Sequence, residues 1–233
     1  MGLRHDLEHF FVHILLGRRR GGGTVRYVTE GLRCRTVGLR AAWAHPELEV
    51  EVSDAKLVRE SARFLAWVID YMNREKARIN AGETMLYGFW QVRWMPSARK
   101  GHLEAWDVLP EGPQAYQPRA DLSLGYLLAQ TEVAVQIKAT LRPPPADLLF
   151  AYDDGVFAGL PVELFREPQV NEDHSGWVIL TDRFSGDMKE VKSEHLYHLT
   201  VRRPELVRYL GLEVGWHIDL RDGERIWFEQ PVP

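Results

Sequence analysis

Three histidines near the start are spaced for metal chemistry. His5, His9 and His13 recur every fourth residue, a spacing that lines one helix face and would present imidazoles to a transition metal. Residues 10–16 are apolar and read as a strand, however, and on a strand the three rings spread too widely for one ion. Glu194, His195 and His198 form a second group. Two imidazoles beside a carboxylate can hold zinc or exchange protons, yet the H-x-x-H spacing lacks the internal glutamate of the H-E-x-x-H zinc proteases. A histidine pair packed beside a short helix and bonded to backbone fits it better. Arg18, Arg19 and Arg20 precede Gly21, Gly22 and Gly23, but the run lacks the P-loop pattern and leads into a strand instead of a helix N-terminus, so the logic of an anion site is absent. No G-x-S-x-G elbow occurs, Cys34 has only scattered histidines for support, and no pair of carboxylates is singled out by spacing. The reading is of no catalytic residue, no metal site and no cofactor, with a metal-dependent hydrolase using His195 and His198, or a regulatory protein-binding module, as the rivals.

The most distinctive local signal is Asp173-His174-Ser175-Gly176-Trp177. Glycine permits a backbone conformation that other residues resist, and the tryptophan then enters a strand as a large anchor. Ser175, Gly176 and Trp177 are therefore read as structural, and Glu172, Asp173 and His174 as exposed.

The elements around these residues are mixed. Alternation predicts strands at 24–29 and 48–52. Ser53 and Asp54 offer a cap for a helix reaching about residue 73, with Leu57, Ser61, Phe64, Leu65, Val68 and Met72 on one face and Trp67, Ile69 and Tyr71 widening it. Residues 85–94 read as one strand and 103–108 as its hairpin partner, rich in aromatic cross-strand contacts. Asp121 is placed to cap a helix over 122–138. Pro143, Pro144 and Pro145 break regular structure, which sets an expected division into an amino-terminal α/β region, 1–142, and a carboxy-terminal module, 146–233. In that module the pattern predicts a strand at 148–152, a turn at Asp153-Asp154-Gly155, a loop as far as residue 170 and a strand at 177–181. A short helix opened by Pro204 follows, then strands at 216–220 and 225–229 around the Asp222-Gly223 turn. The expected class is α+β, with mostly antiparallel sheets and a few packed helices, as one large domain or two intimately packed subdomains.

Composition points toward a binding protein. The chain has 233 residues, 45% hydrophobic and 27% charged, with eight tryptophans, an excess that favours contact surfaces as well as cores. The net charge of −4 argues against a general nucleic-acid binder. Its distribution is uneven: residues 1–40 hold eight arginines against three acidic residues, leaving an acidic body that attracts basic partners at long range. A single cysteine, the lack of an apolar leader and the lack of any apolar run near ~20 residues fit a soluble, cytoplasmic protein without membrane contact.

The carboxy-terminal third resembles a bacterial family, immunity protein 33. The run from His174 through Ser175, Gly176 and Trp177 to Asp182 resembles its SGW-strand signature. The histidine segment with His195 and His198, the Pro204-led helix, Tyr209-Leu210-Gly211-Leu212 and the pair Gly215-Trp216 follow in the family's order, with Val214 where a proline is expected. Upstream, Gly82, Glu83, Thr84, Tyr87, Gly88 and Trp90 resemble the segment preceding that module in longer members. The resemblance implies an immunity protein that neutralises a secreted antibacterial toxin encoded beside it, in polymorphic-toxin or type VI secretion loci, by covering the toxin's active site. It transfers no catalytic residue. Loop charges and their neighbours are the candidate contacts: Asp153, Asp154, Glu172, Asp173, His174, Asp222 and Glu224.

Overall fold

The computed structural model describes residues 16–18, 24–112 and 115–231. His5, His9, His13, most of the strand expected at 10–16 and the glycine run at 21–23 lie outside the described residues. The chain divides into two compact units, one of Met1–Tyr87, Gln91–Leu109 and Pro113–Leu124, the other of Gly88–Trp90, Pro110–Gly112 and Gly125–Pro233.

The first unit is built on strands β1 (Leu16–Arg18), β2 (Thr24–Glu30), β3 (Arg33–Val37), β4 (Glu47–Glu51), β5 (Thr84–Tyr87), β6 (Trp90–Pro96), β7 (His102–Val108) and β8 (Tyr116–Pro118), with helices α1 (Leu39–Trp43), α2 (Val58–Glu75) and the start of α3 (Asp121–Ile137). The strands run in the order β1-β2-β3-β4-β7-β6-β5, with β8 against β7. The β4–β7 pairing is parallel, and the long connection through α2 supplies the crossover that a parallel pair needs. Leu48, Val50 and Val52 alternate onto one face, and α2 contributes Phe64, Leu65, Val68, Ile69 and Met72 to the same core, all essentially without exposure. Phe64 stacks on Trp94 with centroids 5.8 Å apart. Cys34 is buried in this core, where desolvation pushes its thiol up to about 11.

Two local expectations are corrected in this unit. Residues 85–94 are two strands, because Gly88 takes φ +64° and turns the chain between β5 and β6. β3 and the short α1, each five residues long, add to the expected elements. Asp121 does not cap α3. Its carboxylate accepts from the Ser53 amide at 2.7 Å, and the helix start is capped by Asp107 of β7, which accepts from the amides of Leu122 at 2.6 Å and Ser123 at 3.0 Å and from the Ser123 hydroxyl. These are donors that a helix start leaves without an intrahelical partner.

The second unit holds β9 (Leu149–Tyr152), α4 (Asp154–Phe157), β10 (Val162–Arg166), β11 (His174–Thr181), β12 (Lys192–His195), α5 (Tyr197–Arg202), a 3-10 helix (Pro204–Tyr209), β13 (Trp216–Asp219) and β14 (Arg225–Phe228). They form a six-stranded sheet in the order β12-β9-β11-β10-β13-β14, antiparallel except for β9 with β11. The expected loop up to residue 170 is corrected: it contains β10, an alternating segment whose flanking Pro161 and Pro168 masked it. The architecture is α+β, two mostly antiparallel mixed sheets with few helices. No helix among the described residues is long and apolar enough to cross a membrane.

Burial drives the Asp107 carboxyl up to about 6, while the bonds from Ser123 and Leu122 pull it down. Between the ordinary carboxylate range and about 6, the folded chain holds a proton that the unfolded chain has released, so stability falls as pH rises through that window. Asp107→Asn, which cannot titrate, is expected to flatten this slope by on the order of 2 kcal/mol when urea unfolding of both proteins is compared at about pH 4 and about pH 7.

Candidate partner-binding surface

The six-stranded sheet has two unlike faces. Val162, Leu164, Trp177, Ile179, Phe150 and Ile218 alternate onto one and are fully buried. Trp177 fixes the helical layer there: its indole N–H donates to the Leu210 carbonyl at 3.1 Å, at the end of the 3-10 helix. Arg166 lies on the same side, its guanidinium donating to the carbonyls of Arg142 at 2.7 Å, Leu212 at 2.6 Å and Ser175 at 3.2 Å. Burial lowers its pKa to about 10, and it forms no salt bridge with any described residue. It serves as a clip joining three segments.

The alternate residues face the other way. Register places Ala151 of β9 beside Val178 of β11, then Phe165 of β10, His217 of β13 and Trp227 of β14, with Leu149 beside His174 and Leu180 two residues beyond Val178 on the same face. Each retains partial exposure, and Trp227 reaches 37%. Phe165, His217 and Trp227 form a cross-strand ladder, with centroids 5.5 Å and 5.2 Å apart and interplanar angles of 13° and 20°. The exposed face of an antiparallel sheet is normally polar. Here its middle is aliphatic and aromatic, the composition of a contact surface.

A charged frame borders this face at one end. Arg221 contacts Asp219 at 2.9 Å, Glu163 at 3.0 Å and Asp182 at 3.3 Å, and Arg225 also binds Asp219. The two arginines hold the Asp219 carboxyl far below the usual carboxylate range. The network anchors the β13–β14 turn, on which Asp222 and Glu224 are exposed. At the opposite edge of the sheet, His195, Tyr197 and His198 form a ring cluster, with centroids of 5.2 Å for His195–Tyr197 and 4.3 Å for Tyr197–His198.

The remaining sequence candidates are distributed around the unit. Asp153 is buried and caps α4, its carboxylate accepting from the Gly155 amide at 2.6 Å and the Thr181 hydroxyl at 2.8 Å. Asp154 is exposed and pairs with Lys192 at 2.6 Å. Glu172 and Asp173 are exposed, and His174 is half-buried with its Nδ1 accepting from the Gly176 amide at 3.1 Å. Ser175 donates to the Leu149 carbonyl at 2.8 Å. Pro204 opens the 3-10 helix, and Gly215 and Trp216 lead into β13, the Trp216 ring edge-on to Phe228 at 5.6 Å. No group of three or more His, Cys, Asp or Glu among the described residues is arranged to hold a metal ion.

One polar cluster in the first unit gave no sequence signal. Glu49 of β4 is fully buried, accepts from the Ser97 hydroxyl through Oε1, and has Oε2 3.6 Å from Nδ1 of His102. Burial lowers the His102 pKa. The carboxylate stands between serine and imidazole, so the imidazole cannot deprotonate the serine, and the order is wrong for a nucleophile. The three residues meet only through the β4–β7 pairing.

Gly176 takes φ +83°, and a Cβ there would sit 2.2 Å from the Glu167 carbonyl oxygen, a backbone atom that cannot step aside. Gly176→Ala is expected to lower stability by at least ~2 kcal/mol, read as a shift in the urea midpoint at unchanged slope.

No curated protein and no solved structure matches the chain. The stretch that builds the six-stranded sheet and its open apolar face is similar to the Imm33-like domain, whose family model it matches over residues 129–229.

Proposed function

We propose that this chain is an immunity protein that binds and neutralises a cognate secreted antibacterial toxin, and that the open apolar face of the six-stranded sheet is the surface that docks it. The observation that carries the reading is the placement of that face inside the Imm33-like stretch, where Phe165, Val178, Leu180, His217 and Trp227 stay partly exposed on neighbouring strands. Inhibition is then physical: a rigid sheet covers the toxin's active site. Flat aromatic and aliphatic side chains supply the desolvated centre of such an interface, and charged loops its rim.

Charge supports the same reading. Residues 129–229 hold eleven Lys and Arg against eighteen Asp and Glu, a net of −7. An acidic domain captures a basic partner faster than a neutral one. Asp154, Glu172, Asp173, Asp222 and Glu224 are exposed on turns of this unit and serve as steering charges, with His174 beside them and Asp153 holding the α4 turn from within. The toxin is the product of an adjacent gene in a polymorphic-toxin or type VI secretion locus, and the complex forms in the cytoplasm where such a toxin acts. The chain contributes no catalysis of its own.

The test is co-expression with the adjacent toxin. Wild-type protein is expected to restore growth and to co-purify in a one-to-one complex. Val178→Arg places a charge in the middle of the face at a position that already meets solvent, so folding survives while affinity falls by more than about a hundredfold, the loss of a central contact worth roughly 3 kcal/mol. Rescue undiminished by Val178→Arg sinks the docking face, and absence of both complex and rescue sinks the immunity reading for that toxin.

A further inference from the structure

The sheet ends at β14, and the outer side of that strand is chemically unfinished. The Glu229 amide donates to the Gly215 carbonyl at 2.8 Å, and Gly215 stands opposite Glu229 when the β13–β14 register is continued. On the far side of β13, the Gly215 amide goes to Arg166 and the Leu220 amide to Val162 of β10. Hydrogen-bonded pairs alternate along an antiparallel ladder, so Arg225, Trp227 and Glu229 direct their main-chain groups inward to β13. Ile226 and Phe228 direct theirs outward. Among the described residues, no backbone hydrogen bond reaches that outer side.

Edge strands in stable monomers are guarded by charge, proline or bulges along the edge itself. The β14 edge has charges only at its ends, Arg225 and Glu229, with large apolar side chains between them: Trp227 is 37% exposed on one face and Phe228 52% exposed on the other. The segment is also self-complementary in charge, with Arg225 at one end and Glu229 at the other. With a second β14 laid antiparallel about Trp227, Arg225 falls opposite Glu229 of the other copy, Ile226 opposite Phe228, and Trp227 opposite its own equivalent. Arg225 and Glu229 lie on one face, with 65% and 68% of their side chains exposed. This oppositely charged pair is made twice by symmetry, the signature of an isologous contact.

We propose that two copies of this chain associate through β14, antiparallel about a dyad at Trp227, so that their six-stranded sheets continue into one of twelve strands. Ile226 and Phe228 then complete four main-chain hydrogen bonds across the dyad. Trp227 meets its counterpart at a non-hydrogen-bonded position, where facing side chains approach most closely. The Phe165–His217–Trp227 ladder runs on into the second copy, and the two open apolar faces merge into one continuous surface. This association does not depend on the toxin reading, since it uses only the strand edge.

The experiment is sedimentation velocity of the untagged full-length protein over a range of concentrations. The weight-average mass is expected to rise from one copy to two. Glu229→Arg, which leaves the Arg225–Asp219 contact in place, is expected to weaken the dimer at least about tenfold, as is Trp227→Lys. Arg225→Glu alone acts in the same direction, and the double exchange Arg225→Glu with Glu229→Arg restores association to within about threefold of wild type. Near-ultraviolet circular dichroism reports that each variant is folded. A wild type that stays a single copy at every concentration overturns the proposal. So does a dimer untouched by Glu229→Arg and Trp227→Lys, or a folded double exchange that fails to reassociate. Loss of toxin binding in Trp227→Lys from a protein that never dimerises also overturns it, and assigns the edge to the toxin.

Discussion

From the middle of a six-stranded sheet, Trp177 reaches across to the end of the Pro204–Tyr209 helix and donates its indole proton to Leu210. That one bond, with the largest apolar side chain of the unit buried behind it, gathers the helical layer onto one side of the sheet. Gly176 makes it possible by letting the chain pass the Glu167 carbonyl closely enough for Trp177 to enter the strand in the right register. Arg166, clipped to three carbonyls, holds the segments that meet beneath the tryptophan. With these anchors on one side, the opposite face keeps its partial exposure. The open face and the buried core are two results of the same asymmetry.

That asymmetry also explains how much could be read before the structure. Strands with a buried apolar face announce themselves by alternation, so β2, β4, β7, β9, β11, β13 and β14 were legible, and with them the α+β class. The helix from Val58 to Glu75 showed its stripe. β10 was hidden because five alternating residues between prolines look like a loop. β12 was hidden because the histidine segment has no apolar period. The cap on α3 escaped because its carboxylate, Asp107, comes from a strand fourteen residues earlier than Asp121, and only folding brings it there. The Phe165–His217–Trp227 ladder escaped for the same reason: each ring sits in a different strand, and their adjacency is a fact of register alone.

The polar groups of the two units are used in a consistent way. Asp153 and Asp107 cap helices from buried positions, Asp219 organises two arginines at a turn, and Glu49 sits between a hydroxyl and an imidazole. The three aspartates are satisfied by structure, while Glu49 Oε2 and His102 Nδ1 are buried without a hydrogen-bond partner among the described residues. None is held poised beside a nucleophile or a metal set, and the six-stranded sheet keeps apolar side chains partly exposed on one face and at its β14 edge.

Cys34 has a further use that its burial creates. It is the single thiol of the chain, enclosed between β2 and β4 with its ionisation pushed up to about 11. A thiol reagent can reach it only when that part of the first sheet separates, and only the thiolate reacts. The rate of its modification therefore counts openings of the central strands in the native protein. The molecule thus carries its own clock for the first sheet, one that needs no probe introduced by mutation and is silent about the second.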